Sequence, residues 1–275
     1  MKEIKPNLFI VGAPRSATTS IHTYLSRIPD ISMSKIKEPG YFSPDTNMNK
    51  KEYLKLFQDA QIQGESTVAY LYEENTPSLI KKFNSDAKII ISLRNPVDRS
   101  YSEYILRKSR FQIDQSFQNI IEKEIKNEKD GLELYRGLYS QYVSKYLEIF
   151  GKNVHIVIFE EFIQDPKKQM EQILLFLGVE HDLSKFKPDK INKGNDIRFS
   201  ILKPIMTNHI FLNFTKKILP NNIRDLINRI ILHKNLKSSS MNNNDRVMLN
   251  NYFKADVKKL EHILGYNLWD LNNSQ

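Results

Sequence analysis

Four short apolar runs, separated by segments of helical periodicity, constrain this chain more than any other feature. They are Leu8–Val11, the stretch entering "QGEST" near Ile62, "AKIIISL" over Ala87–Leu93, and "NVHIVIF" over Asn153–Phe159. The runs are rich in Ile and Val and apolar at successive positions, so both strand faces must be buried. That is the pattern of a parallel sheet covered on each side. Helical patterns lie near 15–28, 51–59, 75–83, 96–109 and 113–129, and in "SQYVSKYLEIFG" and "DPKKQMEQILLFLG". The last opens on Asp165 as an N-cap with Pro166 at the first helical position, and it closes on Gly178. Strand–helix alternation of this kind predicts an α/β fold with right-handed crossovers and a central parallel sheet flanked by helices. After about residue 195 the strands stop, and 199–235 and 244–264 read as helices joined at "LKSSSMNNND". One domain over 1–275 is expected, with an α/β core over 1–198 and a helical extension over 199–275.

The 275 residues, 40% of them hydrophobic, are enough for a sizeable core, and the absence of cysteine excludes disulfides, thiolate metal sites and cysteine nucleophiles. The start "MKEIKPN" lacks the apolar region of a secretory signal. No stretch approaches the roughly 18 apolar residues of a membrane span. A soluble cytoplasmic protein without a membrane span is the expectation. A net charge of +9 suits a polyanionic ligand, whether nucleotide, nucleic acid, anionic glycan or membrane surface. A Lys- and Asn-rich composition would give the same sign without any such ligand. Nothing in the residues specifies an oligomeric state.

The run Leu8–Val11 meets Gly12, a short polar loop and then an apolar-periodic segment, "GAPRSATTSIHTYL". Strand, tight turn and helix form the context of a phosphate-binding loop, whose backbone N–H groups and helix dipole face the anion. The triphosphate pattern G-x-x-x-x-G-K-[ST] fits imperfectly. Ala17 stands at the second glycine and Thr18 at the lysine, and the loop's cation, Arg15, comes three residues earlier. Arg15, Ser16, Thr18, Thr19 and Ser20 supply one fixed charge and four hydroxyls. An ordinary polar turn would also fit these residues alone.

A second constellation is "IIISLRNPVDRSYSEY". Arg94 ends a strand, Pro96 starts a helix, and Ser102 lies eight residues after Arg94. A cation at the carboxyl edge of a parallel sheet and a hydroxyl on the next helix can converge on one anion. The alternative is that Arg94 pairs with Asp98 and that Arg99 is solvated.

Taken in order, "GAPRSATTS", "KEPGYF", "GEST", "RNPVDRSYSEY", "GLYSQYVSKYLEIFG", "HIVIFEEFIQDP", "FLGV" and "NKG" resemble the sulfotransferases that use 3′-phosphoadenosine 5′-phosphosulfate (PAPS), over roughly residues 7–195. The bacterial and carbohydrate branch is the most similar. The resemblance implies a P-loop-containing nucleotide-binding fold and a donor held without metal. Arg15, Ser16, Ala17, Thr18, Thr19 and Ser20 would hold the 5′-phosphosulfate. Arg94 and Ser102 would clamp the 3′-phosphate, and Lys193 and Gly194 match the late Lys-Gly element that also reaches it. Glu38 matches the catalytic glutamate of the carbohydrate branch. His22, one turn after Thr18, is the runner-up base, with a packed helix histidine as its alternative. His155 alternates within a strand and reads as structural. Tyr41 and Tyr70 line either an acceptor cleft or the core.

Two departures stand out. Ala17 replaces a glycine usual in this loop, which costs roughly 1 kcal/mol or more if the position needs a positive φ. In "GESTVAY", Ser66 stands where the heparan-sulfate branch carries lysine, and Val68 replaces a proline. A heparan-like polymer is therefore less well supported as acceptor than a hydroxyl on some other glycan or small molecule, with an amine a lesser possibility. The competing readings are a P-loop kinase and a non-catalytic binder of anionic glycan or nucleic acid. The kinase needs a lysine beside Thr19 that is absent. No RNA-binding aromatic motif supports a nucleic-acid partner.

Overall fold

The computed structural model describes residues 4–111, 115–126, 134–188 and 241–271. Five strands form one sheet: β1 (Leu8–Gly12), β2 (Ile31–Met33), β3 (Ile62–Ser66), β4 (Lys88–Leu93) and β5 (Val154–Ile158). Their order is β2-β3-β1-β4-β5, and every pairing is parallel. The helices are α1 (Thr18–Leu25), α2 (Lys50–Leu54), α3 (Thr76–Phe83), α4 (Pro96–Phe111), α5 (Phe117–Ile125), α6 (Ser140–Phe150), α7 (Phe159–Gln164), α8 (Pro166–Leu177) and α9 (Asn243–Leu264).

The two-residue period of the strands divides the core. Leu8, Ile10, Ile90 and Val157 face α1 and α8, packing on Ile21, Leu25, Met170, Ile173 and Leu177. Phe9, Val11, Ile89, Ile91 and Leu93 face the opposite side, against Ile80 of α3 and Val143 and Tyr146 of α6. A third cluster joins Val97 and Tyr104 of α4 and Ile121 of α5 to Leu249, Phe253 and Val257 of α9. The C-terminal helix is thereby fixed onto the segment that follows β4. Gly137 makes this approach possible, since a Cβ there would lie 2.6 Å from Phe253.

The elements differ from the sequence reading in definite ways. β2 was not expected; it is three residues long and includes Ser32. α1 begins at Thr18 rather than near 15, because Arg15 and Ala17 adopt left-handed backbone. α2 is shorter than 51–59, and α7 begins at Phe159, the last residue of the expected fourth strand run. α8 follows expectation: the Asp165 side chain accepts from the Lys168 N–H at 3.0 Å, and Gly178 closes the helix at φ 68°. The expected helix over 199–235 lies outside the described residues.

Candidate active site

β1 is the switch point of the sheet. The chain leaves β1 toward β2 and β3 on one side, and leaves β4 toward β5 on the other. Connections that diverge in this way open a crevice beyond the carboxyl ends of the two strands, where ligands of open parallel sheets bind. The loop after β1 and Arg94 after β4 form its two lips.

Three backbone positions shape the first lip. Gly12 has φ 146°, and a Cβ there would lie 2.9 Å from the Leu71 Cβ and 3.1 Å from the Val68 carbonyl. Arg15 and Ala17 are left-handed at φ 68° and 61°. Left-handed backbone is costly outside glycine, and such residues gather where a site imposes the geometry. Ala17 is the N-cap of α1 and gives no side-chain cap, and the first turn carries no acidic residue. The first-turn N–H groups have no carbonyl partner within the helix, which suits an anion. Ser16 is fully buried, and its carbonyl accepts from the Ser92 hydroxyl of β4, joining the loop to that strand. Thr18 is buried, Thr19 is exposed and Ser20 is half-buried.

The second lip meets the first. Arg94 Nη1 donates to the Arg15 carbonyl at 3.2 Å, and Arg15 Nε donates to Ser102 Oγ at 3.0 Å. The Arg94 guanidinium lies 4.5 Å from the Phe159 ring centre, and its buried Nε finds no hydrogen-bond partner among the described residues. Burial pulls the Arg94 pKa down from its ordinary value, with Asp98 and Glu160 opposing. Arginine nonetheless stays charged at any physiological pH. Asp98 is engaged elsewhere, 2.8 Å from Arg246 of α9. Arg99 is not solvated but fully buried, its Nη2 donating to Ser100 Oγ at 3.0 Å.

Two supports of this clamp escaped the sequence reading. Tyr139 donates its hydroxyl to the Arg94 carbonyl at 3.0 Å. Glu160 accepts from the Asn95 N–H and from Trp269 Nε1, both at 3.0 Å. A lone tryptophan near the end of a chain offers no periodic signal that would have placed it here.

Glu38 lies beyond β2, in the segment running alongside the end of β3. Its N–H donates to the Ser66 carbonyl at 2.9 Å, its backbone is left-handed at φ 61°, and its carboxylate meets Lys37 Nζ at 2.6 Å. His22, on α1, has a buried Nδ1 without a hydrogen-bond partner among the described residues. Burial, and then the charge of Lys37, hold its pKa below the usual histidine value. His22 is therefore neutral at pH 7 and able to accept a proton. His155 stacks on Phe176 at 5.2 Å and belongs to packing. Tyr70 is fully buried, and Tyr41 stacks on Tyr53 at 4.2 Å, so both belong to the aromatic cluster beneath the Glu38 segment. Lys193 and Gly194 lie outside the described residues.

The sulfotransferase domain family model matches residues 5–259. This chain belongs to that family. Among relatives, the domain is 30% identical over 131 residues to a protein described as membrane-associated sulfotransferase kil1 of Dictyostelium discoideum, covering 43% of this chain and 28% of the relative. It is 26% identical over 184 residues to human heparan sulfate glucosamine 3-O-sulfotransferase 3B1, covering 63% of this chain and 46% of the relative. The chain thus spans less than half the length of these two relatives. A crystal structure of a sulfotransferase from Alicyclobacillus acidocaldarius matches over 98% of this chain and 99% of that one, at 28% identity and a TM-score of 0.72. Among the described residues, no helix is long and apolar enough to cross a membrane.

Proposed function

We propose that this sulfotransferase domain moves the sulfuryl group of PAPS to a hydroxyl of a carbohydrate or other glycan-like acceptor. The observation carrying this reading is the contact of Arg15, Ser102 and Arg94 across the β1/β4 crevice. A 3′-phosphate suits that set: it brings several oxygens to a fixed cation and a hydroxyl. The N–H groups at the start of α1 suit the 5′-phosphosulfate.

In the proposed reaction the acceptor oxygen attacks sulfur in line. The new S–O bond forms as the S–O bond to the 5′-phosphate breaks, and adenosine 3′,5′-bisphosphate leaves with that electron pair. Glu38 takes the acceptor proton, with His22 as the alternative base. Arg15 and the loop N–H groups stabilise the charge growing on the leaving oxygen, the role in which preorganised donors act most strongly. Lys37 neutralises Glu38 in the free protein and would have to yield for Glu38 to accept a proton. The similarity to a heparan sulfate sulfotransferase supports a glycan acceptor, while Ser66 in place of that branch's lysine argues for a different one.

The test has two parts. Calorimetry should show adenosine 3′,5′-bisphosphate binding at least tenfold tighter than AMP, and labelled PAPS should transfer its sulfur to a member of a panel of glycans, lipid-linked sugars and small alcohols. Equal affinity for the two nucleotides, or phosphoryl transfer from ATP with magnesium, would overturn the reading.

A further inference from the structure

Glu65 is a fully buried carboxylate at the end of β3, with no basic side chain hydrogen-bonded to it among the described residues. Burying a charge without a cation is unfavourable unless hydrogen bonds satisfy it. Three hydroxyls do so. Tyr53 donates to Oε1 at 2.7 Å, Tyr70 donates to Oε1 at 3.2 Å, and Thr67 donates to Oε2 at 2.7 Å.

Two of these hydroxyls have a second task. The Thr67 oxygen accepts from the Gly40 N–H at 3.3 Å, and the Tyr70 oxygen accepts from the Phe42 N–H at 3.0 Å. With the Glu38 N–H on the Ser66 carbonyl, alternate residues 38, 40 and 42 are tied to β3 and the turn after it. A hydroxyl has one proton, so the direction of each bond matters. An ionised carboxylate only accepts, so Thr67 and Tyr70 must spend their protons on Glu65 and present lone pairs to the two amides.

We propose that Glu65 is a positioning residue: by accepting from Thr67 and Tyr70 it sets the polarity of both hydroxyls, and through them holds the Glu38 segment in its working geometry. The inference rests on Glu38 serving the transfer reaction proposed above. It follows that a proton on Glu65, or the amide of glutamine in its place, turns one oxygen site into a donor. Tyr53 can accept from that donor at no cost to the segment, but where the donor meets Tyr70 or Thr67 the hydroxyl loses the acceptor for its own proton, and its bond to the amide N–H is weakened.

The titratable groups around Glu65 are phenols and one carboxylate. Tyr53 faces it from α2, Tyr70 from the turn after β3, and Tyr146 from α6; burial raises the pKa of all three, so they remain neutral donors. Tyr41 stacks on Tyr53. Glu73, at the far end of the same turn, is held by Ser43 and Thr76. On the β1 side the paired residue is Phe9. Burial pushes Glu65 up to about 7, so its proton enters at a pH where the protein can be assayed.

The experiment compares wild type with Glu65→Gln, Thr67→Val, Thr67→Ser and Tyr70→Phe. In Glu65→Gln, kcat should fall by about 100-fold, the scale of a misplaced catalytic group. KM for PAPS and bisphosphate affinity should stay within twofold. By NMR hydrogen exchange, the Gly40 and Phe42 amides should lose protection. In wild type those amide signals should titrate with a midpoint near 7, and in the glutamine variant they should not. If Glu65→Gln does not fold, Thr67→Val gives the same readouts for Gly40 alone, and Thr67→Ser should restore them. A folded Glu65→Gln protein with wild-type kcat and wild-type protection at Gly40 and Phe42 overturns the proposal, as does a Thr67→Ser variant as impaired as Thr67→Val. Absence of sulfuryl transfer in wild type would sink the proposed function instead, and the exchange measurement would still judge Glu65.

Discussion

Arg15 Nε and Ser102 Oγ lie 3.0 Å apart although 87 residues separate them. The bond links the first turn of the phosphate loop to the second turn of α4, and Arg94 closes the set by donating to the Arg15 carbonyl. Arg94→Met should therefore weaken adenosine 3′,5′-bisphosphate binding by about 100-fold, and Ser102→Ala by about tenfold, the loss of a charge-assisted set against a single bond. AMP affinity should change less than threefold in both. Calorimetry decides this; parallel losses for both nucleotides would mean the pair supports the loop and does not read the 3′-phosphate.

Ala17 holds φ 61° and ψ 12° at the start of α1. The left-handed region is unfavourable for a side chain with a Cβ, so Ala17→Gly should stabilise the protein by about 1 kcal/mol. Thermal unfolding should shift up by about 2–4 °C, as for a chain approaching this size. An unchanged or lower midpoint would show that the half-buried Ala17 methyl contributes more by packing than it loses by strain.

Glu38→Gln should leave bisphosphate binding within twofold while turnover falls by at least about 100-fold, the contribution of a positioned base. Turnover near wild type would transfer the role, and His22→Asn is then the variant to assay.

Stability should carry a signature of Glu65. Its folded pKa is raised from 4.5 to about 7. Between those values the folded protein binds a proton that the unfolded chain has released, so this group lowers stability as pH rises through the window. His22 and His155, both lowered by burial, act with the opposite sense. They take stability away as pH falls below the usual histidine value. Comparing wild type with Glu65→Gln in denaturant from pH 5 to 8 isolates the carboxylate. The difference should move in favour of glutamine by about 3 kcal/mol across the range. A difference independent of pH would show that Glu65 keeps its ordinary affinity for protons.

Trp269 is the single tryptophan of the chain, and its Nε1 donates to the carboxylate that also receives the Asn95 N–H. Bisphosphate binding at Arg94 should alter Trp269 emission with the same midpoint as the calorimetric curve. Unchanged emission at saturation would show that the C-terminal segment does not feel the nucleotide.

Much of this arrangement is legible in the chain. β1 is a continuous apolar run, β4 after Lys88 and β5 are apolar runs broken only by Ser92 and His155 respectively, and the caps of α8 are local signals confined to one turn. β2 was not legible because Ile31–Met33 is too short for a period and carries Ser32 on one face. The start of α1 was misplaced because residues 15–17 take their conformation from the loop and the site, against their own preference. The Arg94–Ser102 spacing suggested convergence, but nothing local could show Arg15 turning toward Ser102. Glu65 was silent for a related reason. Its partners Tyr53 and Tyr70 approach from different elements, so a carboxylate in "GEST" reads as an ordinary polar residue.

The central place of β1 separates two kinds of inheritance. The proposed donor grip hangs from β1 and β4, braced by α9 and the segment around Trp269. The Glu38 segment hangs from β2 and β3 on the other half of the sheet. On the proposed function, substitutions that keep Glu38 and the anchors at 38, 40 and 42 but change the rest of residues 34–49 would alter the acceptor side without touching the donor grip.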